Sequence, residues 1–219
     1  MFGINCAPEM YNKIIHQALG GLTGVSSIYD DIIVHGKNEE ERFRNLELLL
    51  QRIQAKGLTL SVDKCHFNMP QIEFMGHILS EHGIGVAESN VTATRDARRP
   101  QIVSEVKSFM GLVNFTRRLI PNLATLGESL NRLMKKEQPF VWRKEQDAAF
   151  VKLKEVLTNA SSLAYFDVNA KTQVIADACP VGLGAVLVQI QGEDYKIICY
   201  ASVYCRISNA DTLKRRKKR

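Results

Sequence analysis

Apolar positions along this chain recur first at helical spacing, then alternate, then return to helical spacing, and each change of period marks an element. Between Ala7 and Gly20, Met10, Ile14, Ile15 and Leu19 fall close to one face. Pro8 sits in the first turn and Gly20-Gly21 ends the run, so a helix is predicted. Ile28-Tyr29-Asp30-Asp31-Ile32-Ile33-Val34 reads as strand on both sides of two adjacent carboxylates. Asn38 then opens the clearest helix. Its amide can cap, Glu39, Glu40 and Glu41 occupy the first turn where the dipole favours anions, and Phe43, Leu46, Leu50 and Ile53 make the apolar stripe before Gly57. Leu58 to Val62 reads as a short strand, and Gln71 to Ile78 with a turn at Glu81-His82-Gly83 as a hairpin.

The second half changes period again. A helix begins around Ser104 with Val106, Phe109, Met110 and Val113 on its apolar side, and Pro121 stops it. Another is predicted from about Thr125 to Lys136 with Leu126, Leu130 and Leu133 at core spacing, and a third from about Arg143 to Leu157 with Ala149, Phe150, Leu153 and Leu157. Three strands follow, Gln173 to Asp177, Gly182 to Gln189 and Tyr195 to Ser202. Gly182-Leu183-Gly184 is too common a spacing to mean dinucleotide binding and reads as a close-packed strand start. These elements add up to α+β architecture.

The carboxylate pair carries the chemistry. Asp is depleted from strands and costly to bury unless paired or metal-bound, and no Gly, Pro or Asn supplies the positive φ of a primed two-residue turn. A hairpin tip that presents both carboxylates to Mg²⁺, a hard cation that takes oxygen ligands, gives the placement a reason. Taken alone, an Asp-Asp pair is a weak signal and reads first as an ordinary solvated hairpin end.

Composition narrows the class. At 219 residues, 45% hydrophobic and 24% charged, the chain is long enough for one or two cores and is not a disordered protein. Its 29 Lys and Arg outweigh 23 Asp and Glu, but six of the basic residues form the run Lys214 to Arg219, and the body without them is formally neutral. That run suits non-specific phosphate binding or a nuclear address, and a tail without a role explains it equally. Five cysteines without a Cys-x-x-Cys pair suit reduced thiols, so an intracellular, cytoplasmic or nuclear, location is expected. Cys65, His66, His77 and His82 match none of the usual zinc spacings. No apolar run of membrane-spanning length and no signal-peptide pattern is present.

Phe2-Gly3-Ile4, Ala7-Pro8-Glu9, the Asp-Asp strand, Lys64-Cys65-His66-Phe67 and Phe74-Met75-Gly76-His77 follow one another in an order that resembles the reverse transcriptase of gypsy-class long-terminal-repeat retrotransposons. Ser108 to Phe115, Arg117 to Asn122, Phe140-Val141-Trp142 and Ala149-Phe150 are similar to the segment after the palm in the same polyproteins. Asp177 to Leu187 looks like the opening strands of the ribonuclease H domain. The resemblance runs from Phe2 to about Ser202.

It implies a C-terminal part of the palm at 1–84, a helical thumb at 85–139, and the N-terminal part of a ribonuclease H-like domain with a basic tail at 140–219. Asp30 and Asp31 would be catalytic and metal-binding carboxylates of the polymerase, and Asp177 the first of the ribonuclease H site, with Mg²⁺ as cofactor. Phe2, Gly3, Ala7, Pro8 and Lys64 would lie at the template and incoming nucleotide, and Arg117 and Arg118 along an RNA/DNA template-primer duplex. A capped amphipathic helix, a solvated loop lysine and a solvated polar face account for the same residues without a ligand. The family pattern Tyr-x-Asp-Asp would put Tyr at 28, where this chain has Ile28 with Tyr29 in the variable place, so an aromatic beside the primer end is missing or displaced. The resemblance places further carboxylates of both sites outside this chain. No turnover by the isolated chain is therefore expected, with a non-catalytic nucleic-acid-binding module or a non-functional remnant as alternatives.

Overall fold

The computed structural model describes residues 6–135 and 139–204. The chain divides into two compact units, Met1–Met69 and Pro70–Arg219. The break lies well before residue 84, which falls inside a strand of the second unit.

In the first unit, α1 (Ala7–Leu19) and α2 (Glu39–Ala55) pack on one face of a two-stranded antiparallel hairpin, β1 (Val25–Ile28) and β2 (Asp31–Val34). Ile15, Leu19, Leu49 and Ile53 form its core, with Leu22, Val25, Ile32, Val34 and Leu58 packed against them. The buried stripes differ from the expected ones. Met10 and Ile14 on α1, and Phe43 and Leu50 on α2, are exposed, and the inward row of α2 is Asn45, Leu49 and Ile53. A polar residue sits in that row because its side chain has a backbone partner: Asn45 Nδ2 donates to the His35 carbonyl at 2.8 Å. The helix ends are as expected. Asn38 Oδ1 accepts from Glu41 N at 2.8 Å, and Gly57, at φ 65°, lets Leu58 N reach back to Ile53 O at 3.0 Å. Leu58 is thereby committed to closing α2, and the expected strand Leu58 to Val62 does not form. A single 3-10 turn, Val62–Lys64, stands at its end.

The second unit opens with a three-stranded antiparallel sheet, β3 (Gln71–Phe74), β4 (His77–Ser80) and β5 (Gly83–Val86), where a hairpin was expected. Met75-Gly76, with φ of 49° and 71°, make a primed turn inside the Gln71 to Ile78 run and divide it in two. Helices α3 (Glu88–Arg95), α4 (Val103–Phe115), α5 (Leu123–Leu126), α6 (Glu128–Leu133) and α7 (Lys144–Thr158) follow. The apolar stripes of α4 and α7 are the expected ones: Val106, Phe109, Met110 and Val113 meet Phe150, Leu153 and Leu157 in one cluster with Ile120, Leu123, Leu130 and Leu133. The helix expected from Thr125 to Lys136 is instead two, broken at Gly127. Gly127 closes α5, its N–H bonding back to Leu123 O at 2.8 Å, and begins α6. Lys136 lies outside the described residues.

The last three strands form a meander, β6 (Lys171–Ala178), β7 (Gly182–Gln191) and β8 (Asp194–Tyr204), in the order β6-β7-β8, with a bulge at Leu187/Val188. Residues 163–167 strap this sheet to the earlier one. Leu163 and Ile84 exchange backbone hydrogen bonds of 2.8 and 2.9 Å, Ala164 N donates to Ile197 O at 2.8 Å, and Tyr165 donates its hydroxyl to Ser80 O at 2.9 Å. At the far end the fully buried Gln189 amide accepts from Asp167 N at 2.9 Å and donates to Asp167 O and Thr172 Oγ1 at 2.7 and 2.8 Å, so all its polar groups are used. Gly83 has φ 121°, and a Cβ there would strike Leu163 O, so only glycine lets the strap dock.

Candidate functional site

The carboxylate pair sits at the tip of the β1–β2 hairpin. Ile28 pairs with Asp31, which leaves Tyr29-Asp30 as a two-residue turn. The turn that sequence chemistry disfavours is therefore present, and Tyr29 carries its cost with φ 52°. A bulky residue in that region stores on the order of 1–3 kcal/mol, which the surroundings must offset. One offset is visible: Tyr29 N donates to Asn12 Oδ1 on α1 at 3.2 Å. Nothing in the sequence marks Asn12 for that role.

The hairpin base is held more tightly. His35 N donates to Gly24 O at 2.8 Å, closing the ladder beyond Val25↔Val34, while the His35 carbonyl accepts Asn45 of α2. Along β2 side chains alternate, so with Ile32 and Val34 on the helices, Asp31 and Ile33 take the opposite face. Asp30 in the turn and Asp31 beside it are both exposed. The hairpin thus offers two exposed carboxylates, the hard oxygen donors that Mg²⁺ takes.

The other expected residues of this unit lie apart in kind. Ala7 and Pro8 are the first turn of α1, whose Asn12 holds the hairpin tip. Lys64 ends the exposed 3-10 turn Val62–Lys64 and has no ion-pair partner among the described residues. Phe2 and Gly3 lie outside the described residues.

In the second unit, Arg117 and Arg118 are exposed on a 3-10 turn, Arg117–Leu119, just after α4. Elsewhere in this unit, Arg95 pairs with Asp96 at 3.2 Å, and Arg99 lies over the Trp142 ring while pairing with Asp147 at 3.6 Å. Asp177 is exposed near the end of β6, opposite Gly184, and its Oδ1 accepts the next backbone N–H, that of Ala178, at 2.8 Å. The close packing expected of Gly182-Leu183-Gly184 is found: Cβ atoms on the two glycines would lie 2.6 Å from Val203 O and 2.8 Å from Asn122 Oδ1. Among the described residues no group of three or more His, Cys, Asp or Glu side chains is placed to hold a metal ion. Asp30, Asp31 and Asp177 are the carboxylates on which a metal role would rest.

Cys179, two residues after Asp177, was not singled out by the sequence. It sits in the β6–β7 turn, its backbone exchanging hydrogen bonds with Gly182, and its Sγ lies 3.6 Å from Thr125 Oγ1. The Thr125 hydroxyl and the Val181 and Gly182 amides hold this exposed thiol below the ordinary cysteine range. Thr125 contributes most. Alkylation of Cys179 by iodoacetamide is expected to have a lower pH midpoint than in Thr125→Val, read by mass spectrometry across pH. An unchanged midpoint in the variant would assign the shift to the turn amides.

Comparison with known proteins places these elements. Residues 1–79 match the family model of the reverse transcriptase (RNA-dependent DNA polymerase), and residues 142–212 that of the RNase H-like domain found in reverse transcriptase. The Tf2-3 and Tf2-7 transposon polyproteins of Schizosaccharomyces pombe are 31% identical over 195 residues. The match takes in 88% of this chain and 15% of each polyprotein. Among solved structures, the foamy viral protease-reverse transcriptase in complex with dsDNA superposes with a TM-score of 0.83 at 21% identity, over 95% of this chain and 44% of that one. The same enzyme in complex with an RNA/DNA hybrid gives 0.81 at 21% identity, over 94% and 28%. The fold is therefore that of a reverse transcriptase region followed by an RNase H-like sheet.

Proposed function

Because the chain carries reverse transcriptase sequence at residues 1–79 and RNase H-like sequence at residues 142–212, both related to retrotransposon polyproteins, we propose that it binds a template-primer duplex as a gypsy-class reverse transcriptase segment and does not extend a primer by itself. The observation that carries this reading is the Asp30-Asp31 hairpin: two exposed carboxylates on a strained two-residue turn, held by α1 and α2. Mg²⁺ held there would stabilise charge on the transferring phosphoryl oxygens. Asn12 and Asn45 fix the hairpin, so Asp30 and Asp31 are positioned before a ligand arrives. Two carboxylates fall short of the set that two shared ions need, which supports binding without turnover. Arg117, Arg118 and Lys64 supply exposed positive charge for phosphates, and Asp177 on β6 is the carboxylate we assign to the RNase H-like region.

The test is primer extension on an RNA template with Mg²⁺ and all four deoxynucleotides, run beside duplex binding over a salt series. The purified chain and the Asp30→Ala, Asp31→Ala double variant are compared. The expected result is no extension by either, with binding that weakens linearly in log salt and is similar in both. Extension that the double variant abolishes would show a complete polymerase site. Neither extension nor binding would leave an inert remnant.

A further inference from the structure

The chain from Leu58 to Asn68 leaves the end of α2 and returns to the start of the same helix. At its beginning Leu58 N bonds Ile53 O at 3.0 Å, in the last turns of α2. At its end Arg42 Nη2, near the start of α2, donates to Asn68 Oδ1 at 2.5 Å. The two attachment points lie about 16 Å apart along the helix, at about 1.5 Å per residue. The turn Val62–Lys64 lies between them. It is closed by its own backbone, Lys64 N bonding Ser61 O at 3.1 Å and Cys65 N bonding Val62 O at 3.0 Å, so its shape is local and its placement depends on the two attachments.

The attachment at Arg42 is held on both sides. Asn68 has φ 51°, a backbone state that Asn tolerates better than most residues. The Arg42 side chain is only 35% exposed; its guanidinium lies 5.7 Å from the centre of the Phe43 ring and 3.5 Å from Glu39 Oε1. Arg42 also stands three positions before Asn45, whose amide bonds the His35 carbonyl at the base of the β1–β2 hairpin. Residues so spaced are neighbours on a helix surface. The chain after β2 passes close over the same turn, since a Cβ on Gly36 would lie 2.5 Å from Arg42 N. One turn of α2 therefore grips the hairpin of Asp30 and Asp31 through Asn45, and the segment of Lys64 through Arg42.

On the reading that this chain binds the phosphates of a template-primer, we propose that Arg42 is a positioning residue for Lys64. Through Asn68 it fixes the lysine segment to the turn that holds the carboxylate hairpin, so the ammonium group and the two carboxylates keep one spacing before a phosphate arrives. A segment ordered in advance does not lose that freedom on binding.

The full chain is offered a template-primer duplex over a salt series and, separately, a deoxynucleoside triphosphate with Mg²⁺ in the presence of that duplex, because the phosphate could come from either. Lys64→Ala is expected to weaken one of the two about threefold or more, and that arm identifies the source. Asn68→Gly removes the acceptor for Arg42, changes no charge and suits the left-handed backbone. It is expected to weaken the same arm by a similar factor. Arg42→Gln, which leaves Asn68 in place, should do the same, so the effect is not that of an added glycine. Asn68→Gly placed on Lys64→Ala is expected to cost nothing further, whereas a general structural defect would add to the lysine loss. Backbone order parameters at Lys64 should fall in Asn68→Gly and stay unchanged at Ile53. A wild-type chain that binds neither ligand would remove the reading and the positioning role together. With wild-type binding intact, the role alone is overturned by a Lys64→Ala variant that binds normally, by an Asn68→Gly variant that binds normally, by losses that add in the double variant, or by unchanged order at Lys64.

Discussion

Gly24→Ala is expected to destabilise the first unit by about 2–4 kcal/mol, through one methyl group placed where three elements meet. Gly24 has φ 67°, so any side chain starts from strain. The added Cβ would also fall well inside van der Waals contact of both Asn45 Nδ2 and the His35 carbonyl oxygen. The oxygen belongs to backbone and cannot swing aside. Relief requires β2 to draw away from Gly24, which breaks the Gly24 O to His35 N bond or the Asn45 bond, each left with a poorly satisfied partner. With a core as small as Ile15, Leu19, Leu49 and Ile53, such a loss is a large part of what holds the unit. The measurement is amide hydrogen exchange: the His35 and Leu49 amides should lose protection together. If only His35 responds, the strain stays at the hairpin base and the unit tolerates it. Asp30 and Asp31 would in either case lose their fixed position, so any metal- or duplex-dependent property of the hairpin should fall with it.

Phe150→Ala is expected to cost the second unit about 3–5 kcal/mol. Phe150 is 6% exposed and packs its ring 4.6 Å from that of Phe109 on α4 and 5.9 Å, edge-on, from Trp142, while Lys154 Nζ lies 5.0 Å from its centre. Truncation removes the contacts between α4 and α7 at the middle of the largest apolar cluster, and the neighbours on two helices cannot both move in. Trp142 is the chain's one tryptophan, so its fluorescence reports this transition directly. The urea midpoint should fall with the slope unchanged. Loss of slope as well would mean that the unit no longer melts as one.

Elements whose reasons are local were legible in the sequence. Asn38 caps α2 from three residues away, and the Phe150, Leu153 and Leu157 row faces inward because its spacing matches the helix period. Legibility failed where the reason lies elsewhere in the chain. The inward row of α2 is centred on Asn45 and Leu49 because the hairpin base offers a carbonyl to bond, which no periodicity shows. Tyr29 is a poor turn residue by its own preference and occupies the turn anyway, with Asn12 of α1 bonded to it from 17 residues away. For the candidate site, Asp30 and Asp31 stood out because carboxylates in strands need a reason, Asp177 only through the resemblance to the ribonuclease H strands, while the residues that hold them carry no such mark.

The strap at residues 163–167 has a consequence for the time at which the protein is made. Tyr165 reaches Ser80 across 85 residues of chain, and Leu163 meets Ile84 over a similar span. During synthesis β3, β4 and β5 are complete long before either partner has left the ribosome, and chains are built from the N-terminus onward. For that interval the outer edge of β5 is unpaired with Gly83 bare at its start, and covering it waits on contacts about 80 residues further along the chain. A nascent chain stalled between Val86 and Leu163 therefore exposes the edge at which misassembly would begin, and release of the strap segment is the event that ends the exposure.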